Sequence, residues 1–314
     1  MNNGDITSHY YRANLYNGIG LAYLDCEVDT STNIKPRGTV LLIHGFPETS
    51  YQWRAVIPTL TGSGYRVLAP DYRGAGESSK STNEGDFTKA SMAADMIMLL
   101  DSKGVDDKVH VVGHDIGGVI AFTLSSRWPE RVASLCISEC LLPGTAAFDN
   151  ERSEHPVKYF HHTFHCVDNL PECLIAGREK IYVEYFVNKL CYRLGAVPSY
   201  VIDRYARGYA QPGALRCALQ LFKAFGKDAE DLVRWIREQG KSTVPTLVLS
   251  GEHSSFRGFA LGMMQEVVLA ESLRWEVVDE AGHFLAEENP HRFSELLLSF
   301  MDRQLACGEL TLAN

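Results

Sequence analysis

No stretch of this 314-residue chain approaches the roughly 18–20 consecutive apolar residues that a membrane span needs. The opening residues, Met1 to Tyr11, are polar and lack the basic start and apolar run of a secretory leader, so a cytoplasmic protein is expected. Cysteines stand at 26, 136, 140, 166, 173, 191, 217 and 307, without CxxC pairs or histidine-rich metal spacing. That usage predicts reduced, mostly buried thiols and argues against a disulfide frame or a zinc site. Basic charge is scarce as well: the net charge is −9, which speaks against nucleic acid and anionic membrane surfaces as partners. Glycine is plentiful but never spaced as GxGxxG, and no internal repeat or low-complexity segment occurs. Neither a cofactor nor a metal is expected.

What remains is an ordinary globular composition, 45% apolar and 22% charged, long enough for one large α/β domain or a core with an insertion. Two short strands, Ala13–Tyr16 and Gly20–Glu27, flank the Asn17-Gly18 turn as a hairpin. Strands are predicted at Thr39–Ile43, Tyr65–Ala69, Val109–Val112 and Val132–Ser138. Helices are predicted over Gln52–Gly62, Phe87–Leu100 and from the end of the third strand to Arg127. This alternation implies a mostly parallel, doubly wound sheet. From Leu141 to Lys241 the rhythm breaks, and helical spacing over Ile181–Leu190 and Leu215–Phe225 replaces it. The sheet resumes at Pro245–Leu249 and Arg274–Val278 and ends with a helix over Pro290–Leu305. The expected organisation is a core in two parts, 1–140 and 242–314, interrupted by a helical cap over 141–241.

Within Val-Val-Gly-His-Asp-Ile-Gly-Gly at 111–118, Asp115 stands where a strand-to-helix elbow usually exposes a serine. Gly113 and Gly117 allow strand and helix to approach closely. A serine there attacks acyl carbons. A carboxylate is suited to an sp3 carbon, such as an epoxide or carbon–halogen carbon, and leaves an ester on the enzyme. The competing reading is an aspartate that merely starts a helix.

Three further motifs follow strand ends: His44-Gly45-Phe46-Pro47, Asp71-Tyr72-Arg73-Gly74-Ala75-Gly76-Glu77-Ser78 and Ala281-Gly282-His283-Phe284. Open α/β sheets build their sites at those carboxyl ends. HGFP, DYRGAGES, GHDIGG and AGHF in this order, over essentially the whole chain, resemble the epoxide hydrolase group of the α/β-hydrolase fold. The resemblance implies Asp115 as nucleophile, His283 as the base that activates water, and Phe46 and Ile116 amides as the oxyanion hole. It implies a rigid turn at Pro47, with a cis peptide as an option, and structural roles for His44, His114 and a buried network of Asp71 and Arg73. The family most often places the histidine's acid at the position of Ser254, in Gly251-Glu252-His253-Ser254. A subgroup uses an acid after the preceding strand, where Glu139 stands here. Glu139 is favoured, and Glu252 stays open as the alternative.

The resemblance breaks in the cap. Family members polarise the leaving oxygen with two tyrosines, or a tyrosine and a histidine. After Tyr209-Ala210-Gln211-Pro212-Gly213, Phe222 falls where one hydroxyl should be. Tyr159, His161 and His162 are candidates for the other donor; Tyr182, Tyr185, Tyr205 and Tyr209 read as cap core. A dehalogenase shares the Asp/His pair, but Ile116 replaces the halide-binding tryptophan, and Ile116 and Val119 replace the arginines of haloacetate enzymes. The expected activity is therefore opening of an epoxide to a vicinal diol through an Asp115 ester. The expected partners are an apolar small-molecule substrate and water, with a homodimer left open. The alternatives are a dehalogenase and a cap-altered protein that binds ligand with little epoxide turnover.

Overall fold

A computed structural model of the chain describes residues 9–32 and 34–312; Met1–Ser8 and the Cys307 side chain lie outside the described residues. Its centre is an eight-stranded sheet in the order β1-β2-β4-β3-β5-β6-β7-β8. Strands β1 (Tyr10–Asn14) and β2 (Gly20–Cys26) form the antiparallel hairpin, and β2 runs antiparallel to β4 (Tyr65–Pro70). The others, β3 (Gly38–Ile43), β5 (Val109–His114), β6 (Val132–Ser138), β7 (Thr246–Gly251) and β8 (Leu273–Val278), pair in parallel with one another and with β4.

Strand periodicity divides the core into two layers. Leu41 and Ile43 of β3 join Met92 and Met96 of α2 (Lys89–Ser102) and Ile120 and Leu124 of α3 (Ile116–Arg127). Val40 and Leu42 point the other way, to Ile57 and Leu60 of α1 (Ile57–Gly62) and Phe293 and Leu297 of the last helix, Pro290–Leu312. With both faces covered, β3 needs the continuous apolar run it has.

Between β6 and β7 come seven helices and, among the described residues, no strand. They are α4 (Ala146–Glu154), α5 (Phe160–Phe164), α6 (Leu170–Ile175), α7 (Glu179–Leu190), α8 (Ser199–Tyr209), α9 (Ala214–Lys223) and α10 (Phe225–Gln239). The segment is pinned to the core by a buried ion pair: Lys89 Nζ lies 3.0 Å from Asp228 Oδ2 and donates to the Leu221 carbonyl.

Local chemistry explains the departures from the predicted elements. The helical stretch before β4 splits into a tight turn over Ser50–Ala55 and α1, because Pro58 has no N–H to continue the ladder. Helix α2 begins at Lys89, not Phe87, because the Thr88 side chain accepts from the Ser91 amide and caps it. The final helix runs beyond Leu305 to Leu312. Asp71 and Arg73 are both buried but do not share one network. Asp71 accepts from Ser50 and the Glu77 amide, whereas Arg73 makes two 2.6 Å bonds to Asp95. Of the thiols, Cys26, Cys136, Cys140 and Cys217 are buried, but Cys166 and Cys173 are exposed on the helical segment. No helix among the described residues is long and apolar enough to cross a membrane.

Candidate active site

The turn from β5 into α3 is as tight as its glycines allow. A Cβ on Gly113 would lie 2.3 Å from the Gly117 carbonyl oxygen, and one on Gly117 would lie 2.2 Å from that of Ile43. Between them Asp115 takes φ +50°, a region costly for a residue with a Cβ. The Phe46 amide, one residue before the cis Pro47, donates to Asp115 Oδ1 at 3.0 Å. Ile116 opens α3 directly after it, so its amide belongs to a first turn that has no intrahelical acceptor. One carboxylate oxygen is thus held by the backbone, leaving Oδ2 to the cavity side.

His283 follows β8 in the loop before the short helix Leu285–Glu288, and its backbone is held at both ends. Its amide donates to the Leu190 carbonyl of α7 at 2.9 Å, and its carbonyl accepts from His114 Nε2 at 2.9 Å. The ring places Nε2 3.9 Å from Asp115 Oδ2 and Nδ1 3.3 Å from Glu139 Oε2. Glu139 directly follows β6 at φ +51° and is buried. Its Oε1 accepts from the Gly251 amide at 2.9 Å and its Oε2 from the Ser254 hydroxyl at 2.5 Å. Ser254, at the position where the family most often has its acid, therefore stands beside Glu139. Glu252 is at the surface, where its Oε2 accepts from the Glu280 amide, and does not meet the ring.

Burial sets the charge states. It pushes His283 down to about 3, with the nearby His114 adding to the effect, so the resting ring is neutral. It pushes Glu139 up to about 8, against the pull of Ser254 and Gly251. Beneath the site His114 Nδ1 lies 2.9 Å from Glu48 Oε2, and this partner outweighs burial to hold His114 up at about 9. Held by Glu48 at one ring nitrogen and by the His283 carbonyl at the other, His114 braces the His283 loop.

Above Asp115 lies a cavity of about 330 Å³ between the strand ends and the helical segment. Asp115, His283 and Glu139 lie on the sheet side, and Phe46, Phe186, Phe222 and Phe225 supply aromatic walls.

A family model described as alpha/beta hydrolase fold matches residues 38–290. The soluble epoxide hydrolase of a Corynebacterium sp. is 32% identical over 267 residues, covering 83% of this chain and 89% of that protein. The chain belongs to the epoxide hydrolase group of the α/β-hydrolases. Epoxide hydrolase 4 of Mus musculus is 25% identical over 272 residues, covering 84% of this chain and 73% of its own length. The solved structure of epoxide hydrolase CorEH superposes with a TM-score of 0.81 at 28% identity, covering 94% of this chain and 98% of that one.

In this α/β-hydrolase the residues expected to face the leaving oxygen do line the cavity, but not equally. Tyr159 donates its hydroxyl to Glu151 Oε2 at 3.0 Å. His162 is buried, in ring contact with Phe148 and Phe225, while His161 is half-buried; the Nδ1 of each has no partner among the described residues. Burial holds His161 down at about 3, as a neutral ring. Phe222 packs edge-on against Phe46 with ring centres 5.3 Å apart and brings no donor. Of the tyrosines read as cap core, Tyr205 and Tyr209 are buried, bonded to Glu287 and the Glu48 carbonyl. Tyr182 is half-buried against His165, but Tyr185 is exposed, off the buried Val183–Phe186–Val187 stripe of α7.

Two groups escaped the sequence reading. Glu48 directly follows HGFP, yet nothing local indicates that it meets His114. Lys158 and Lys189 line the cavity, and their spacing matches an ordinary solvated face.

Proposed function

We propose that this hydrolase opens an epoxide to a vicinal diol through a covalent ester on Asp115, beneath a lid formed by α4–α10. The observation that carries the reading is the line from Glu139 through the His283 ring to the unbonded oxygen of Asp115, on the floor of an aromatic cavity. In the first half-reaction Asp115 Oδ2 attacks a ring carbon. The carbon–oxygen bond breaks, its electron pair passes to the ring oxygen, and that oxygen gains a proton. In the second, His283 Nε2 takes a proton from water and the hydroxide attacks the ester carbon. The tetrahedral oxygen forms on Oδ1, where the Phe46 amide already points. Collapse breaks the Cγ–Oδ2 bond with its electron pair on Oδ2, which leaves as the second hydroxyl of the diol with the proton from His283. The water's other proton leaves the re-formed Asp115 carboxyl and replaces the one the ring oxygen took.

A single turnover in 18O-labelled water is expected to place the label in Asp115, read by peptide mass. Label in the diol with none in Asp115 would sink the covalent route.

The reading assigns His161, facing the cavity with a neutral ring, to the leaving oxygen, with Phe222 leaving the second donor missing. A neutral imidazole is a modest donor, so ring opening is expected to be slow on simple aryl epoxides. Phe222→Tyr is then expected to raise kcat/KM on styrene oxide by about ten- to a hundredfold. Unchanged or lower activity would place the donor elsewhere.

A further inference from the structure

A second cavity, of about 230 Å³, opens at the seam between α8 and the sheet side of the molecule and shares no lining residue with the Asp115 cavity. Arg204 and Arg207 reach it from α8, one turn apart on the face opposite the buried Val201 and Tyr205. Arg204 is half-buried, with its guanidinium over the Tyr51 ring at 4.2 Å, and Arg207 is exposed. Two more cations flank the far wall: Arg12 donates to the Glu77 carbonyl at 3.4 Å, and Lys80 to the Gly76 carbonyl at 2.6 Å. Among the described residues none of the four has a carboxylate within the 4.0 Å of an ion pair. The two acids on that wall are engaged elsewhere. Asp71 accepts from the amide and hydroxyl of Ser50 and from the Glu77 amide, and Glu77 accepts from Gln211 Nε2 at 2.7 Å. In a chain of net charge −9, cations outnumber acids around this one recess.

We infer that this seam cavity binds a small phosphate monoester, with the phosphate held by Arg204 and Arg207 and the hydroxyls of its body received by Glu77 and Gln211. Two guanidinium forks present paired N–H donors that match phosphate oxygens, and the Tyr51 ring pre-sets one of them. The local excess of positive charge suits a dianion, which the two acids alone would repel. The space is larger than a bare phosphate fills, and its remaining wall is polar, so the ligand carries hydroxyls and not an apolar chain. Such a ligand touches α8 on one side and Tyr10 and Thr49 on the other, and so ties the helical segment α4–α10 to the sheet. The inference is independent of the chemistry at Asp115.

The test is a calorimetric titration of the full chain with glycerol 3-phosphate, expected to saturate with a Kd of about 0.1–1 mM. A tenfold excess over Kd should raise the melting temperature by about 2 °C. Arg207→Gln, a change at an exposed position, is expected to weaken binding by about three- to tenfold. Arg204→Lys, which keeps the charge and loses the fork, should do the same, with the melting temperature of the unliganded protein unchanged in both. Glycerol should not bind, and sulfate at equal ionic strength should bind at least about tenfold more weakly than the ester. Sulfate binding as tightly as the ester would leave a mere charge site and overturn the inference. So would binding that neither substitution moves, or no saturable heat at about 20 mM ester. Binding to vesicles of phosphatidic acid in phosphatidylcholine without any response to the soluble ester would turn the arginines toward a lipid surface and overturn it as well.

Discussion

With His283 replaced by glutamine, the enzyme is expected to alkylate itself on an epoxide and stop there. Attack on the ring carbon uses Asp115 and the donor to the leaving oxygen but not His283, and the elbow and the Phe46 amide hold Asp115 independently of that ring. Hydrolysis of the resulting ester needs a base beside it, and the His283 Nε2, 3.9 Å from Oδ2, is the one the geometry offers. Glutamine retains a polar side chain of similar reach but takes no proton from water. General-base removal usually costs about a hundred- to ten-thousandfold, so turnover is expected to fall by at least about a hundredfold while adduct forms. Intact-protein mass should rise by one substrate mass, and a digest should place it on Asp115. A burst of one equivalent should precede the near-zero steady rate. Diol formation close to the wild-type rate would remove His283 from the role. A folded variant with no adduct would remove Asp115.

The distribution of what was legible follows the range of the interactions. The elbow is a local object: Gly113, Asp115 and Gly117 lie within five residues, and the sequence states both the tight turn and the side chain at its apex. The parallel strands were equally visible, since burial on both faces demands continuous apolar runs such as Val40–Ile43. Glu139 was legible by position, at the end of the strand beside the nucleophile's. The Ser254 hydroxyl bonded to it across 115 positions was not. Helical periodicity in the inserted segment gives a buried stripe but not the rotamer of a polar group on its edge. Hence the bond from the Tyr159 hydroxyl to Glu151 was not visible in the spacing. Tyr185 is a different case. Val183, Phe186 and Val187 already define the apolar face by their spacing, and Tyr185 lies off it.

Glu139→Gln is expected to slow ester hydrolysis by about a hundred- to ten-thousandfold, with alkylation largely kept, because an amide no longer fixes the imidazole tautomer or stabilises the imidazolium formed with water attack. The more discriminating result is the partial recovery expected when Ser254→Asp is added. Ser254 Oγ lies 2.5 Å from the Glu139 oxygen that meets His283 Nδ1 at 3.3 Å. An aspartate at 254 carries its carboxylate about one bond further along the same direction, to where that oxygen was, and the introduced amide at 139 can donate to it. The double variant should therefore hydrolyse its alkyl-enzyme at least about tenfold faster than Glu139→Gln alone. Ser254→Asp by itself should do the opposite, since two buried carboxylates against one ring share a proton and disfavour the charged form that orients it. Single-turnover decay of the adduct, followed by mass, reads all three. Wild-type decay in Glu139→Gln would show that the orienting acid lies elsewhere. A double variant no faster than the single would mean that the ring is not reachable from 254, so that the acid's place on β6 is fixed by the geometry of the His283 loop.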